Sequence, residues 1–568
     1  MFFTRKNAVF MRLLAFRKRL LIIKEKGEKK MRRKLIAGSL AAMTLLSVPV
    51  YASGAEGGES KYQTTYGSKQ FDGVTISVEL FDRSNAPEGS TILENRWTKY
   101  AQDAMAEVGI NLEFVAVPRG DEVSKMQTMV GSGTAPTITL TYTYTYARDY
   151  YKDGGIWDLS EFVDGEDQAQ NLKKYVGDSC LELGRNADGS LIGIVARRAT
   201  TANSNIFIRK DWLDDLGLEV PTTTDELKNV LHEMVYNNPD GNTGVVGITL
   251  PSMVDAYLTG QRDAESLAFM ETVHDEKAMA INDGYDYYAD PGYREYLRWV
   301  NDLYNDGLMD KEFFASTDEV LQSNFVNGKL AAYDANVGHN VDILRGGLLQ
   351  SLKNKDKDAE MIAIRSMESN VYEGENFVPA YGEGGLIMFV PKTYDEEQVE
   401  AAVTYLDWLS TEEGGFTIYH GFEGEHFDYN EDGVPIPKQA DYNQKDKDWI
   451  RTDLFLVGNQ GYFTNVDDFN LNIAADNPGW EEYTLSDYQL SLDGTQIASA
   501  QYMYQPEIEL DLRNDLDLLM KEWKVKCITC APEDFDNNYD RWISEAEDLG
   551  IQDILDARAE VYAEVKGE

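Results

Sequence analysis

The alternation of strand and helix patterns between Val74 and Leu140 constrains the fold more than any other feature of the chain. Val74, Ile76, Val78 and Leu80 alternate with Thr75, Ser77 and Glu79, the period-two pattern of a half-buried strand. Trp97 to Val108 carries apolar residues at helical spacing, and Ile110 to Val115 reads as a second strand. Glu122 to Val130 predicts another helix, closed by Gly131-Ser-Gly133, and Ile138 to Leu140 a third strand. Strands separated by single helices pair in parallel, so this βαβαβ order predicts an α/β sheet with covering helices.

A length of 568 residues suffices for two to four compact units. The net charge of −45 excludes a nucleic-acid partner, whose phosphates need a basic surface, and argues against docking on anionic lipid. With 43% hydrophobic residues, the acidity reads as a solvated shell over a normal core.

The first 52 residues read as a signal peptide. Met31 to Lys34 is basic, Leu35 to Val48 mostly apolar, and Val50-Tyr-Ala52 a small-residue cleavage site. The apolar stretch is too short to predict a membrane span. Residues 1–30 read as an extension upstream of a better start at Met31. Residues 1–52 hold 13 of the 53 basic and 2 of the 98 acidic residues, so the remainder carries −56. No cysteine adjoins the cleavage site, which predicts a secreted, cell-surface or periplasmic protein without a lipobox. Ser53 to about Lys69, rich in Gly, Ser and Glu, predicts a flexible spacer reaching residue 71.

Farther along, Asn205 to Met234 reads as a strand, a short segment ending at Gly217, and a helix opened by Thr223-x-x-Glu226. That spacing predicts a capping box, in which the two side chains satisfy free N–H groups of the first turn. Leu227, Val230, Leu231 and Met234 then share one helical face. Gly189 to Val195 predicts a strand, 291–308 an amphipathic helix, and Leu386 to Val390 a buried strand behind the Gly-rich Tyr381–Gly385. Glycines there allow close backbone approach to a neighbouring strand or a ligand. Asp428 to Gly433 imitates the start of an EF-hand loop, but Gln439 stands where the bidentate Glu belongs, so a hairpin turn is expected. Residues 441–505 read as irregular and aromatic, and two helices close the chain. Among Cys180, Cys527 and Cys530, the last two have the spacing of a local disulfide or of ordinary packing; a zinc site would need further ligands.

The wording of several stretches adds to this reading. Ile208 to Leu227, the order Gly-rich turn, strand, Pro391-Lys392, helix and Leu406 to Gly414, and then Gly421-Phe-Glu-Gly-Glu-His426, resemble the family 1 extracellular solute-binding proteins, the sugar receptors of ABC importers. The resemblance covers Val74 to Val565. It implies a type 2 periplasmic-binding-protein fold: two α/β lobes, each a mixed sheet flanked by helices, joined by a hinge of several crossing segments. The lobes are expected at 72–192 plus 335–380 and at 195–332 plus 384–568, with Tyr333 and Asp334 on a strand returning to the first lobe. Residues 237–250 resemble the family's calcium loop, and Asn238, Asp240 and Asn242 are the possible ligands. A hard cation needs six to eight oxygens, and Val245 and Val246 stand where later acidic residues belong, so a plain loop without a cofactor is the default.

The implied function is capture of a carbohydrate, an oligosaccharide by the length of the chain, in an interlobe cleft for delivery to ABC permease subunits by a monomer. Aromatic faces stack on sugar rings while polar side chains pair with hydroxyls. Candidates are Trp97, Arg119, Tyr142, Tyr144 and Trp157 in the first lobe, Asn203, Asn205 and Trp480 in the second, and Tyr333, Asp334, Tyr381 and Glu383 at the crossings. Arg209 and Trp212 read as structural. A secreted glycoside hydrolase is the rival from another class, since carboxylates are plentiful; a sugar-binding sensory co-receptor is the third reading. The net charge disfavours a polyanionic ligand unless the cleft is locally basic.

Overall fold

A computed structural model describes residues 61–186, 188–249, 263–316, 318–337, 347–459, 461–463, 465–500 and 505–566. The signal-peptide reading and the start of the spacer lie outside them.

The βαβαβ opening forms as its pattern predicts. Strands β1 (Val74–Asp82) and β2 (Ile110–Pro118) pair in parallel along their whole length, and Val78 bridges Ile138 in parallel just before β3 (Thr139–Thr141). The helix Arg96–Glu107 is nucleated by Asn95, whose side chain accepts from the N–H groups of Trp97 and Thr98. The next strand, β4 (Ile194–Arg198), lies three to five residues later than its apolar run suggests, because Leu191 is used in a bridge to Arg185.

Beyond β4 the chain enters a second sheet. Strands β5 (Ser204–Arg209), β6 (Val246–Thr249), β7 (Leu330–Asn336) and β8 (Met361–Ile364) take the order β6-β7-β5-β8. The helix Thr224–Tyr236 packs behind them, with Leu227, Val230, Leu231 and Met234 buried. Its cap differs from the expected box in one bond. Thr223 accepts from the N–H of Glu226 (3.2 Å), but the Glu226 carboxylate reaches past Thr223 to the N–H of Thr222 (2.9 Å).

The division into lobes departs from the expectation at two places. Residues 335–380 were expected in the first lobe, yet β8 pairs with β5 and β7 also stays in the second sheet, so Tyr333 and Asp334 belong there. Residues 384–568 were expected in the second lobe. Instead β9 (Phe377–Ala380) leads into β10 (Gly384–Phe389), which inserts antiparallel between β3 and β4 of the first sheet. The chain then remains with the first core through Phe469, with Trp408 and Phe455 fully buried. The hairpin β11 (Phe427–Tyr429) and β12 (Pro435–Pro437) turns at Gly433, φ +80°, as expected of Asp432-Gly433. Strand β13 (Gly458–Asn459) adds to β4, and β14 (Thr495–Ala498) pairs with β9 at the crossing. Where 441–505 was expected to be irregular, its described residues include the helices Val466–Ala475 and Glu481–Leu490. A third, 23-residue helix, Glu507–Thr529, precedes the two expected at the C-terminus. These three return to the second core, where Trp212, Trp523 and Trp542 are buried. Cys527 and Cys530 are free thiols at the end of the long helix; Asn301 caps it by donating to the carbonyls of Cys527 and Ile528 (2.9 Å each).

The spacer also ends earlier than residue 71. Tyr62 stacks on Phe162 at 4.0 Å between centroids, and Thr64 Oγ1 donates to the Phe162 carbonyl (2.6 Å). Buried Asp407 accepts from the N–H groups of Tyr66, Asn171 and Leu172 (2.8–3.0 Å), and Glu400 from the Gln63 N–H (2.7 Å) and Lys69 Nζ (2.6 Å), so two carboxylates hold residues 61–71 to the first lobe.

Glu79 stands fully buried in β1. Its Oε2 accepts from the Leu140 N–H (3.2 Å), Oε1 has no partner among the described residues, and burial pushes its carboxyl up to about 8. The folded state therefore retains a proton that the unfolded chain releases above about pH 4.5, and stability falls as pH rises from there to 8. Glu79→Gln should flatten this slope and raise stability at pH 8 by on the order of 2 kcal/mol, measured by urea unfolding at pH 5 and pH 8.

Candidate functional site

The carboxyl ends of β1, β2, β3 and β4 meet at one edge of the first sheet, and the residues that follow them converge there. Arg119, just after β2, lies over Phe81 (5.1 Å to the ring centroid) and over Tyr142 (4.9 Å). The Tyr142 hydroxyl accepts from Asn459 Nδ2 (2.9 Å), and Asn459 Oδ1 accepts from Arg198 Nη1 (3.1 Å). The Arg198 guanidinium sits 4.3 Å above the Tyr381 ring, and the Tyr381 hydroxyl reaches Asn336 of β7 at 3.4 Å. One continuous polar and aromatic row therefore runs from the first sheet across the crossing to the second. Beside it, Arg83 is held in two hydrogen bonds by buried Asp453 (2.7 and 2.9 Å).

A cavity of about 520 Å³ opens at the crossing end of this row. Its walls come from Arg197 and Arg198, the hinge residues Thr200 and Thr201, Glu383, and Gln496 of β14. The helix Gln170–Leu183 is broken at Gly177, and this kink forms the opposite wall. Aromatic rings, neutral hydrogen-bonding groups and cations at strand ends suit a polar, ring-shaped ligand.

Of the expected site residues, Arg119, Tyr142, Tyr381 and Glu383 lie on the row or the cavity wall. Others have structural work. Trp97 is buried, stacks on Phe422 (5.6 Å) and donates to the Asp446 carbonyl (3.0 Å). Tyr144 is buried and donates to the Gly385 carbonyl (2.7 Å). Trp157 donates to the Tyr394 carbonyl (3.0 Å), with the Lys392 ammonium 3.3 Å from its ring centroid. Asn203 and Asn205 are buried against the helix Glu481–Leu490 and its end: the Asn203 N–H donates to Ser491 Oγ (3.0 Å) and Asn205 Nδ2 to the Asp487 carbonyl (2.7 Å). Tyr333 and Asp334 are inside the second sheet, and Trp480 packs on the core next to it. The row also contains Phe81, Asn459, Arg198 and Asn336, which sequence reasoning passed over. Arg197-Arg198 carried a usable signal: two adjacent cations ending an apolar strand in an acidic chain.

The loop expected to hold calcium is held by an internal cation. The Arg209 guanidinium, almost wholly buried, bonds both oxygens of Asp211, lies 3.5 Å from Asp240 and stacks on Trp212 at 4.4 Å. Asp240 also accepts from Trp212 Nε1 (2.8 Å), and the Asn242 amide donates to the Gly328 carbonyl (3.1 Å). With Asp240 engaged by two donors and Asn242 turned to a carbonyl, Asn238, Asp240 and Asn242 do not fit a calcium ion. Among the described residues no group of three or more His, Cys, Asp or Glu could hold a metal ion. The corner role expected of Arg209 and Trp212 is the one they have. EDTA should leave the melting temperature unchanged, whereas Arg209→Met should cost about 2 kcal/mol by leaving two carboxylates unpaired. A calcium-dependent rise in the melting temperature of the unaltered protein would contradict this assignment.

Comparison with known proteins agrees with this architecture. Residues 99–424, more than half of the chain, match the family model described as bacterial extracellular solute-binding protein. The polygalacturonan/rhamnogalacturonan-binding protein YtcQ of Bacillus subtilis is 22% identical over 466 residues, 80% of this chain and 86% of its own length. Among solved structures, a solute-binding protein from Bifidobacterium longum infantis, described as associated with an HMO-binding ABC transporter, superposes with a TM-score of 0.61 at 15% identity, covering 86% of this chain and 99% of that one. The substrate-binding protein FusA of Streptococcus pneumoniae in complex with kestose gives a TM-score of 0.57 at 17% identity, covering 87% and 99%. Two lobes on mixed sheets, the crossing segments between them and the family match lead to one conclusion: the chain belongs to the bacterial extracellular solute-binding proteins.

Proposed function

We propose that this protein captures an oligosaccharide between its two lobes and delivers it to the permease subunits of an ABC importer. The row Arg119–Tyr142–Asn459–Arg198–Tyr381–Asn336 is the observation that carries this reading, because it joins both sheets through groups suited to sugar rings and hydroxyls. YtcQ, FusA and the Bifidobacterium protein are each described by a carbohydrate they bind or transport, which supports the same ligand class. The protein acts outside the membrane as a monomer, exported by the segment that begins at Met31. It binds its ligand and does not hydrolyse it.

Ligand contacting both sheets stabilises the closed arrangement by its differential affinity for it. The radius of gyration from X-ray scattering should fall when a bound oligosaccharide is present, with no sugar released. Tyr381→Ala should weaken binding about five- to tenfold, the loss of one stacked ring. Tight binding without compaction would refute hinge closure; turnover of the ligand would favour a hydrolase.

A further inference from the structure

The charges on the cavity wall run against those of the rest of the molecule. The chain carries −45, and the described arginines outside this wall, Arg148 aside, each hold a carboxylate within 4.0 Å. Arg197 and Arg198 do not. Arg197 Nη1 donates to the Tyr175 carbonyl (3.3 Å); Arg198 Nε donates to the Gly384 carbonyl (3.0 Å) and its Nη1 to Asn459. Each of these acceptors is neutral. Lys174, exposed on the same wall, likewise has no ion pair among the described residues, and the one carboxylate on the wall is Glu383. Three cations thus face one anion around a cavity of about 520 Å³.

Guanidiniums fixed by carbonyl and amide oxygens keep their full charge and present the remaining N–H groups in a planar fork, the geometry that receives a carboxylate in two hydrogen bonds. A locally positive cleft in an acidic protein also concentrates anions against the field of the surrounding surface. We propose that the cavity at Arg197 and Arg198 takes the carboxylate of an acidic sugar, and that the oligosaccharide bound by this protein is built from uronates. Tyr381, under the Arg198 guanidinium, would lie beside the ring bearing that carboxylate. The inference rests on the oligosaccharide-receptor reading and narrows its ligand class.

The test compares oligogalacturonate with its fully methyl-esterified form, which keeps the rings and linkages but loses the charge. Titration calorimetry on the mature chain should show the acid form binding at least tenfold tighter, with affinity falling as salt rises from 50 to 500 mM. Arg198→Met should abolish that preference while circular dichroism remains that of a folded protein. Because Arg198 also braces Gly384 and Asn459, Lys174→Gln at the exposed rim provides a second variant, expected to lower affinity for the acid form alone about two- to threefold. Equal binding of the two forms, or preference for neutral oligosaccharides without salt dependence, would overturn the inference and leave the receptor standing. Failure to bind any oligosaccharide, acidic or neutral, would overturn the receptor reading itself.

Discussion

The insertion of Gly384–Phe389 between two strands of the first sheet is the contact on which the rest of the molecule depends. All four strands of the second sheet precede this segment in sequence, so the chain must return to a slot lined by Tyr144, Leu183 and Val195. A Cβ on Gly384 would lie 2.6–2.8 Å from those three side chains, and one on Gly385 2.7 Å from Asn459. Only a strand bare of side chains at its first two positions can enter, and its bare backbone then offers carbonyls to Tyr144 and Arg198. The same glycines therefore close the first sheet, orient one cation of the cleft and fix where the chain crosses between lobes.

Electrostatics follow a consistent division of labour. Over most of the surface carboxylates outnumber cations, and arginines are consumed in pairs: Arg209 with Asp211 and Asp240, Arg558 with Glu509, Arg83 with Asp453. The Arg209 guanidinium ties Asp240 of the 238–242 loop to Asp211. At the crossing the pattern is reversed, because strand ends supply neutral acceptors and leave charge available to a ligand.

Much of the fold was legible along the chain. Period-two and helical patterns located β1, β2 and the helix behind β5, and Asp432-Gly433 marked a hairpin, since all of these are decided by neighbours within a few residues. Residues 61–71 misled because Gly, Ser and Glu upstream suggested mobility, while the carboxylates that hold them, Asp407 and Glu400, lie more than 300 positions away. Trp97 and Tyr144 illustrate a related difficulty: an aromatic in this family's wording suits a core and a sugar site equally, and the fold buries both side chains.

Local composition by itself determined the α/β class, the acidic shell, the strand–helix corner of Arg209 and Trp212, and, through the Gly-rich turn and Gly421–His426, the family. Tertiary structure alone decided which lobe each later segment joins, because a strand's sheet is chosen by the slot it fits rather than by its own pattern. It also decided which cations face the cleft. Arg198 is one arginine among many in sequence; it becomes part of the row only where Asn459 and Tyr381, each more than 180 residues away, are folded against it.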